Sequence, residues 1–248
     1  MAQIKILYRN ILENSTVNPT NASTTYPAYR LYDRDIGKLF KGNSSAATWN
    51  ITIDQQSSAT HTIYPVDRLI IPSGHNLNGI DLAIQYSSDN FAGDVNTATS
   101  WTQSTTGIID KAITSNTQRY WRISIFNHSV PELPELFLGK DYSFQRNPAY
   151  GSRTGKRPNV MREETQSGKR RAIKLGELKN NRTYELSVIE TTQKNDFEAW
   201  VTHTEGLKPI YLTDENGNVM FGEILNDFDF SYKAADIYSC SIEFLEVL

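Results

Sequence analysis

RNPAYGSRTGKRPNVMREETQSGKRRAIKLGELKNNR, residues 146–182, is the stretch that decides how this chain is divided. It carries eleven Lys and Arg against three Asp and Glu. Residues 1–145 carry eleven against twelve, and residues 183–248 carry three against thirteen. Gly and Pro punctuate the stretch, and strand-like alternation stands on both sides of it, so one β-rich module is expected to end before it and a second to begin inside it. The expected domains are a β-sandwich over 1–145, a basic arm or linker over 146–171, and a second β domain over 172–248.

At 248 residues, with 38% hydrophobic and 21% charged side chains, the chain has the composition of a folded β protein with polar loops. Thirteen Tyr, ten Phe and four Trp favour strands. The one cysteine, Cys240, alternates with apolar neighbours and is expected to be a buried thiol without a disulfide partner. Lys5 and Arg9 interrupt the apolar residues of MAQIKILYRNILENS, and no run of 18 apolar residues occurs. Synthesis in a cytosol without a signal peptide, and no membrane insertion, are therefore expected.

In the first module, period-two alternation marks strands with one buried face. Trp49, Ile51 and Ile53 share a face in TWNITID, as do Leu82, Ile84 and Tyr86 in DLAIQYSS, and Trp121, Ile123 and Ile125 in RYWRISIFN. Turn-forming PSGHNLNG and SSDNFAGD lie between such strands. Trp49 and Trp121 are in phase with isoleucines and are assigned to the core. His61, His75 and His128 lack metal-ligand spacing and are given no role.

The second module reads as hairpin, helix, hairpin and two closing strands. A strand over 172–178, a Lys-Asn-Asn-Arg turn and a strand with Tyr184, Leu186 and Val188 inward make the first hairpin. Asn195 or Asp196 caps a helix over about 195–205, with Phe197, Trp200, Val201 and Thr204 on one face and Gly206 as its stop. Asn216-Gly217 centres the second hairpin. DFDFSY alternates with Phe228, Phe230 and Tyr232 inward and Asp227, Asp229 and Ser231 outward. The final strand, YSCSIEFLEVL, is apolar on both faces near its end and is expected to be central. The fold class is mainly β: a jelly-roll sandwich, then a small antiparallel barrel or sandwich with one packed helix.

Two resemblances attach to these phrases. Tyr26-Pro27 followed by LYDRD, WNITID, RLIIPSGHNLNGIDLAIQYSSD, RYWRISIFN and ELFLGK resembles the discoidin-like, galactose-binding-like jelly roll over residues 20–140. That resemblance implies loops at one end that bind sugars, lipid heads or proteins, and in some members a calcium ion, for which Asp33 and Asp35 are the candidates. Two carboxylates do not satisfy calcium's six to eight oxygens, and turn capping is the competing role. The order of elements over 160–248, with PIYLTDENG, DFDFSY and the closing YSCSIEFLEV, resembles the tube-forming domain of phage tail-tube, distal-tail and baseplate proteins. It implies a ring around a DNA channel, a hexamer favoured and a trimer the alternative, with an arm of one copy reaching the next. Here the accessory sandwich comes first, the reverse of the usual distal tail order.

The basic segment is expected to be an assembly arm. Arg157, Arg162, Lys169, Arg170 and Arg171 would meet acidic residues of a neighbouring copy, with Asp227 and Asp229 the candidate partners, and residues 150–171 would order only on assembly. Complementary charge steers encounter and sets register. Nucleic-acid binding is disfavoured because aromatics barely interleave the cations and the following module is strongly acidic.

The expected function is a structural component of a phage or phage-like tail, made in the host cytoplasm and residing in the virion. Its partners would be further copies, neighbouring tail-tube and tail-tip proteins, and a host-surface glycan, with DNA passing through unbound. The alternative is a carbohydrate-binding adhesin or receptor-binding subunit. No cofactor and no catalysis are expected: the sequence carries no Ser-His-Asp set, phosphate-binding Gly loop or metal cluster, and Glu163 and Glu164 sit on no predicted rigid element.

Overall fold

The computed structural model describes residues 3–56, 61–146, 148, 152–164 and 168–247. The chain is mainly β, with one α-helix, Thr191–Thr204, among the described residues. Two compact units form: residues 9–141, and residues 1–8 together with 142–248.

The first unit is an all-antiparallel sandwich. One sheet has the strand order Thr16–Pro19, Thr48–Asp54, Tyr120–Phe126, Asp81–Ser87, Asn96–Thr102, and the other has Phe137–Gly139, Val66–Ile71, Ile109–Asn116. A two-stranded pair, Phe40–Lys41 with Glu132–Leu133, accompanies them. The alternation read from the sequence sets the register. Ile53 faces Trp121, Ile51 faces Ile123 and Trp49 faces Ile125, while Ile84 and Leu82 complete the same rows. Trp49, Trp121, Ile123 and Ile125 are fully buried in one apolar cluster. The two tryptophans alone each withdraw some 150–250 Å² from water, which makes them the largest single contributors to this core.

The second unit is an open sheet, not a closed barrel. Its order is Tyr142–Ser143, Lys5–Leu7, Ile210–Thr213, Val219–Ile224, Ile237–Glu246, Lys179–Glu190, Arg153–Arg157, with Ser231–Ala234 also paired to Ile237–Glu246. The final strand is central, as its apolar character requires. Two boundaries differ from the expected ones. Lys5–Leu7 pairs with Ile210–Thr213 and with Tyr142–Ser143, so both ends of the 1–145 segment belong to this sheet. The two modules therefore do not simply follow one another along the chain.

The Lys-Asn-Asn-Arg segment is not a turn. Lys179–Glu190 is one continuous strand, because three of the four polar side chains there have distant partners: Asn180 binds Glu246, Asn181 reaches Glu243 at 3.4 Å, and Arg182 donates to Asp214 at 2.8 Å. A register shift between Leu186 and Ile189 then brings Ile189, rather than Val188, fully into the core.

The helix begins at Thr191, four residues before the expected cap, after Glu190 in extended conformation and without a side-chain cap. Its buried face holds Phe197, Trp200 and Thr204 as expected, and Glu205 and Gly206 in left-handed backbone end it. Phe197 lies 5.4–6.1 Å from the rings of Phe144, Tyr142, Trp200, Phe228 and Phe230. Asp227–Phe230 lies outside the strands, with the phenylalanines half-buried and both aspartates exposed. Tyr232 departs from that alternation: it is 67% exposed and stacks edge-on against Tyr238.

The Asn216-Gly217 hairpin forms as read. Gly217 takes φ +84°, and the buried Asp214 carboxylate collects the Asn216 and Asn218 amides. Burial pushes Asp214 up, but the Asn218 and Asn216 donors and Arg182 hold it below its ordinary value. Gly222 is required by contact rather than by φ: a Cβ there would stand 2.2 Å from the Leu245 carbonyl oxygen.

Candidate functional site

The basic stretch folds as a long antiparallel hairpin within a single chain. Arg153–Arg157 and Val160–Glu164 run out, and Arg170–Lys174 and Lys179–Glu190 return. The register steps where Asn159 O accepts from Leu175 N, the four residues Leu175–Leu178 on the returning side facing the two residues 158–159 on the outgoing side. This corrects two expectations: the described part of 150–171 has regular structure without a neighbour, and the 172–178 segment pairs with Val160–Glu164 rather than with the Tyr184 strand.

The hairpin has no core of its own. Met161 and Ile173 face each other across it at 46% and 44% exposure, and Leu175 and Leu178 are more exposed still. Two strands with no second layer are marginal in water. Pairing also sorts the five cations named from the sequence. Arg162, opposite Ala172, and Arg170, opposite Glu164, share one face. Arg171, opposite Glu163, lies on the other with Met161 and Ile173. Arg157 sits at the base, opposite Lys179, and Lys169 at the tip. They form two basic surfaces rather than one patch, and Glu163 and Glu164 are cross-strand partners of arginines rather than a paired acid and base.

Asp227 and Asp229 line a groove of about 680 Å³ with Glu185, Asn226, Lys233 and Cys240. Three carboxylates against one ammonium leave it negative. Asn226 fixes the wall, donating to Ser241 O at 2.8 Å and accepting from Glu243 N at 2.6 Å. The open edge of Ser231–Ala234, exposed throughout, borders the groove. Burial pushes the Cys240 thiol up to about 12, so it is present as an inert thiol rather than a nucleophile.

In the sandwich, Asp33 and Asp35 are turn caps. Asp33 accepts from Asp35 N at 3.0 Å, Asp35 accepts from Gly37 N at 3.1 Å, and Lys38 pairs with Asp35 at 2.8 Å. Among the described residues no group of three His, Cys, Asp or Glu could hold a metal ion. The nearby cation is a side chain: Arg34, buried and in left-handed backbone, pairs with Glu13 at 2.5 Å.

Beside it lies Glu135, fully buried, with neither oxygen in a well-formed hydrogen bond. Burial, aided by the charge of Asp33, raises its carboxyl to about 9. A folded value above the unfolded one means stability that is complete below about 4.5 and lost as pH rises towards 9. Glu135→Gln is therefore expected to stabilise the sandwich by roughly 2–3 kcal/mol at neutral pH and by little at pH 5. Urea midpoints at the two pH values check this, and an equal shift at both would refute it.

The loops split between the two ends of the sandwich. Residues 73–79 precede the Asp81–Ser87 strand and 87–94 follow it, so they lie at opposite ends. Sequence reasoning missed what His75 and His128 do. His75 bonds Gly107 O at 2.8 Å, and His128 bonds Asn76 O at 2.9 Å, tying three loops together at one end. Burial pushes His75 down, keeping it neutral.

No family model matches the chain, and no curated protein matches it. Solved structures similar to it include chitosan-binding module 1 of a Paenibacillus sp. IK-5 chitosanase/glucanase, at 17% identity and TM-score 0.44, covering 53% of this chain and 99% of the module. Another is CBM32-1 from a family 31 glycoside hydrolase of Clostridium perfringens, at 17% identity and TM-score 0.44, covering 54% and 99%. A Ruminococcus gnavus GH29 fucosidase in complex with fucose is similar at 14% identity and TM-score 0.45, covering 56% of this chain and 28% of that enzyme. None of these likenesses points to a tail or baseplate protein.

Proposed function

We propose that this chain is a non-catalytic assembly subunit, in which the hairpin arm of one copy lies on the acidic groove of the next. The observation that carries this reading is the arm itself: a basic hairpin with an exposed Met161–Ile173 pair and no layer to cover it. A neighbour's groove offers the opposite charge at Asp227, Asp229 and Glu185. Closed symmetry would satisfy every arm with an identical site. In its finer form the assembly is a hexameric or trimeric ring in the distal tail or baseplate of a phage-like particle, joined to tail-tube and tail-tip proteins.

Reversing Arg157, Arg162 and Arg170 to Glu is expected to weaken self-association at least 100-fold, about 2.7 kcal/mol. Light scattering at low and high salt measures it: the natural chain should give a multimer that dissociates with salt, and the triple variant a monomer. A natural chain that stays monomeric at every concentration, or a variant that assembles like it, sinks the proposal.

A second reading concerns the sandwich, and it is the stronger of the two for that unit: a glycan-binding module displayed by the assembly, or acting as an adhesin. Chitosan-binding modules are among the structures similar to this chain. In this chain the support is its own outer sheet face, where Asn50, Thr52, Gln85, Arg122 and Ser124 stand side by side across three strands. Hydrogen-bonding side chains in a rigid row suit a polyhydroxylated ligand.

A further inference from the structure

Three arginines of the sandwich are matched to carboxylates. Arg34 has Glu13, Arg68 has Asp110 and Asp141, and Arg119 grips Asp54 with two nitrogens at 2.8 and 2.9 Å. Arg122 differs. It stands half-buried on the outward side of the Tyr120–Phe126 strand, in the middle of the five-stranded sheet, and has no carboxylate partner among the described residues. Burial lowers its pKa, and no neighbouring charge raises it.

The side chain is nevertheless held in place. Its Nε donates to Gln85 Oε1 at 2.9 Å, and its guanidinium stacks 4.0 Å from the centre of the Phe91 ring. Phe91 is set for that contact by left-handed backbone at φ +63° and by its amide bond to Ser87 Oγ at 2.9 Å. Gln85 is braced in turn, since the Ser124 hydroxyl lies 3.1 Å from Gln85 Oε1 and 2.8 Å from Asn50 Oδ1. Among the described residues the two Nη groups meet no protein acceptor. A pinned guanidinium with its outer fork open and its charge partly desolvated is arranged for a bidentate anion.

The surroundings narrow the ligand. Thr52 and Gln85 flank Arg122 across the two neighbouring strands, and none of the well-exposed large apolar side chains lies on the strands of this face. A protein partner would need a contiguous apolar centre to its interface, whereas here the Arg122 guanidinium covers the Phe91 ring and Phe126 stands four residues away along the strand. Phe126 lies on the same face four residues along, about 13 Å away. It lines a shallow depression with Asp81, Trp101 and Thr102. Asp81 makes that end unfavourable for a second anion.

We infer that this sheet face binds an acidic saccharide, with its carboxylate or phosphate in the fork of Arg122 and neutral sugar units running towards Phe126. The inference rests on the glycan reading of the sandwich and gives that reading a ligand class and a direction.

Calorimetric titration of the full chain with trigalacturonate, its methyl ester and a glycerol-phosphate oligomer tests it. At least one acidic probe should bind ten or more times tighter than the methyl ester, with affinity falling as salt rises. Arg122→Gln should lose that binding by tenfold or more while keeping its melting temperature, because no structural ion pair is removed. Arg122→Lys should recover part of it, having the charge without the fork. Whichever acidic probe binds better identifies the anion as carboxylate or phosphate. Equal binding of ester and acid, or undiminished binding by Arg122→Gln, overturns the inference and leaves the glycan reading standing. No binding of any probe overturns both.

Discussion

Phe197→Ala should cost the sheet-and-helix unit about 3–5 kcal/mol. The ring is fully buried at the meeting point of five others: Phe144 and Tyr142 after the sandwich, Trp200 one helical turn on, and Phe228 and Phe230 from the segment before Ser231–Ala234. Truncation removes its transfer free energy and leaves a cavity that neither a helix nor a sheet can collapse to fill. Each aromatic pair adds about 0.5–1.5 kcal/mol beyond burial. Phe197→Leu should cost clearly less, because it keeps most of the volume. Urea unfolding followed through Trp200, the one tryptophan of this unit, reads the effect. A loss below about 1 kcal/mol for the alanine variant would show that the helix is not anchored through this ring.

Arg68→Ala should destabilise the sandwich by a comparable amount, about 3–5 kcal/mol. Arg68 is nearly buried and spans two carboxylates, with Nε and Nη2 on Asp110 at 2.7 and 2.8 Å and Nη1 on Asp141 at 2.9 Å. Burial alone would push its pKa down, but the two carboxylates more than reverse that and hold it as the cation. Removing it takes the Arg68 charge away from both Asp110 and Asp141, the latter with a side chain only 10% exposed. Arg68→Lys keeps the charge but cannot serve both partners with one fork, so it should recover only part of the loss. Thermal melting of the three proteins at one pH decides it, and equal stability of Arg68→Ala and the natural chain would refute it. The contrast with Arg122 is instructive: the same residue type in the same unit should be costly to remove at one place and nearly free at the other, because only Arg68 neutralises charge already buried.

Much of the sandwich was legible because its signal is local. Trp49, Ile51 and Ile53 repeat at period two, and so do Trp121, Ile123 and Ile125, and a one-residue slip would expose all six. The helix face and the Asn216-Gly217 turn were legible for the same reason. What could not be read were features decided by distant partners. Lys-Asn-Asn-Arg has turn composition, yet Glu246, Glu243 and Asp214 hold it extended. The helix start carries no side-chain cap, so nothing marks Thr191. Lys5–Leu7 is three residues long, too short for periodicity to register. Of the candidate site, the charge contrast was visible in composition. The division of the arm's cations between two faces needed the cross-strand register, and the isolation of Arg122 needed the whole sheet.

The placement of that short first strand has a consequence for how the chain can be altered. Ile6 is the direct neighbour of Tyr142, and Lys5 of Ser143, so the chain leaves the sheet and re-enters it within one inter-strand spacing, about 5 Å. Residues 9–141 thus occupy the position of a hairpin loop. An Asn-Gly pair could close the same ladder in their place. Replacing residues 9–141 by such a turn is expected to leave the Ile6–Tyr142 register of the carrying sheet unchanged.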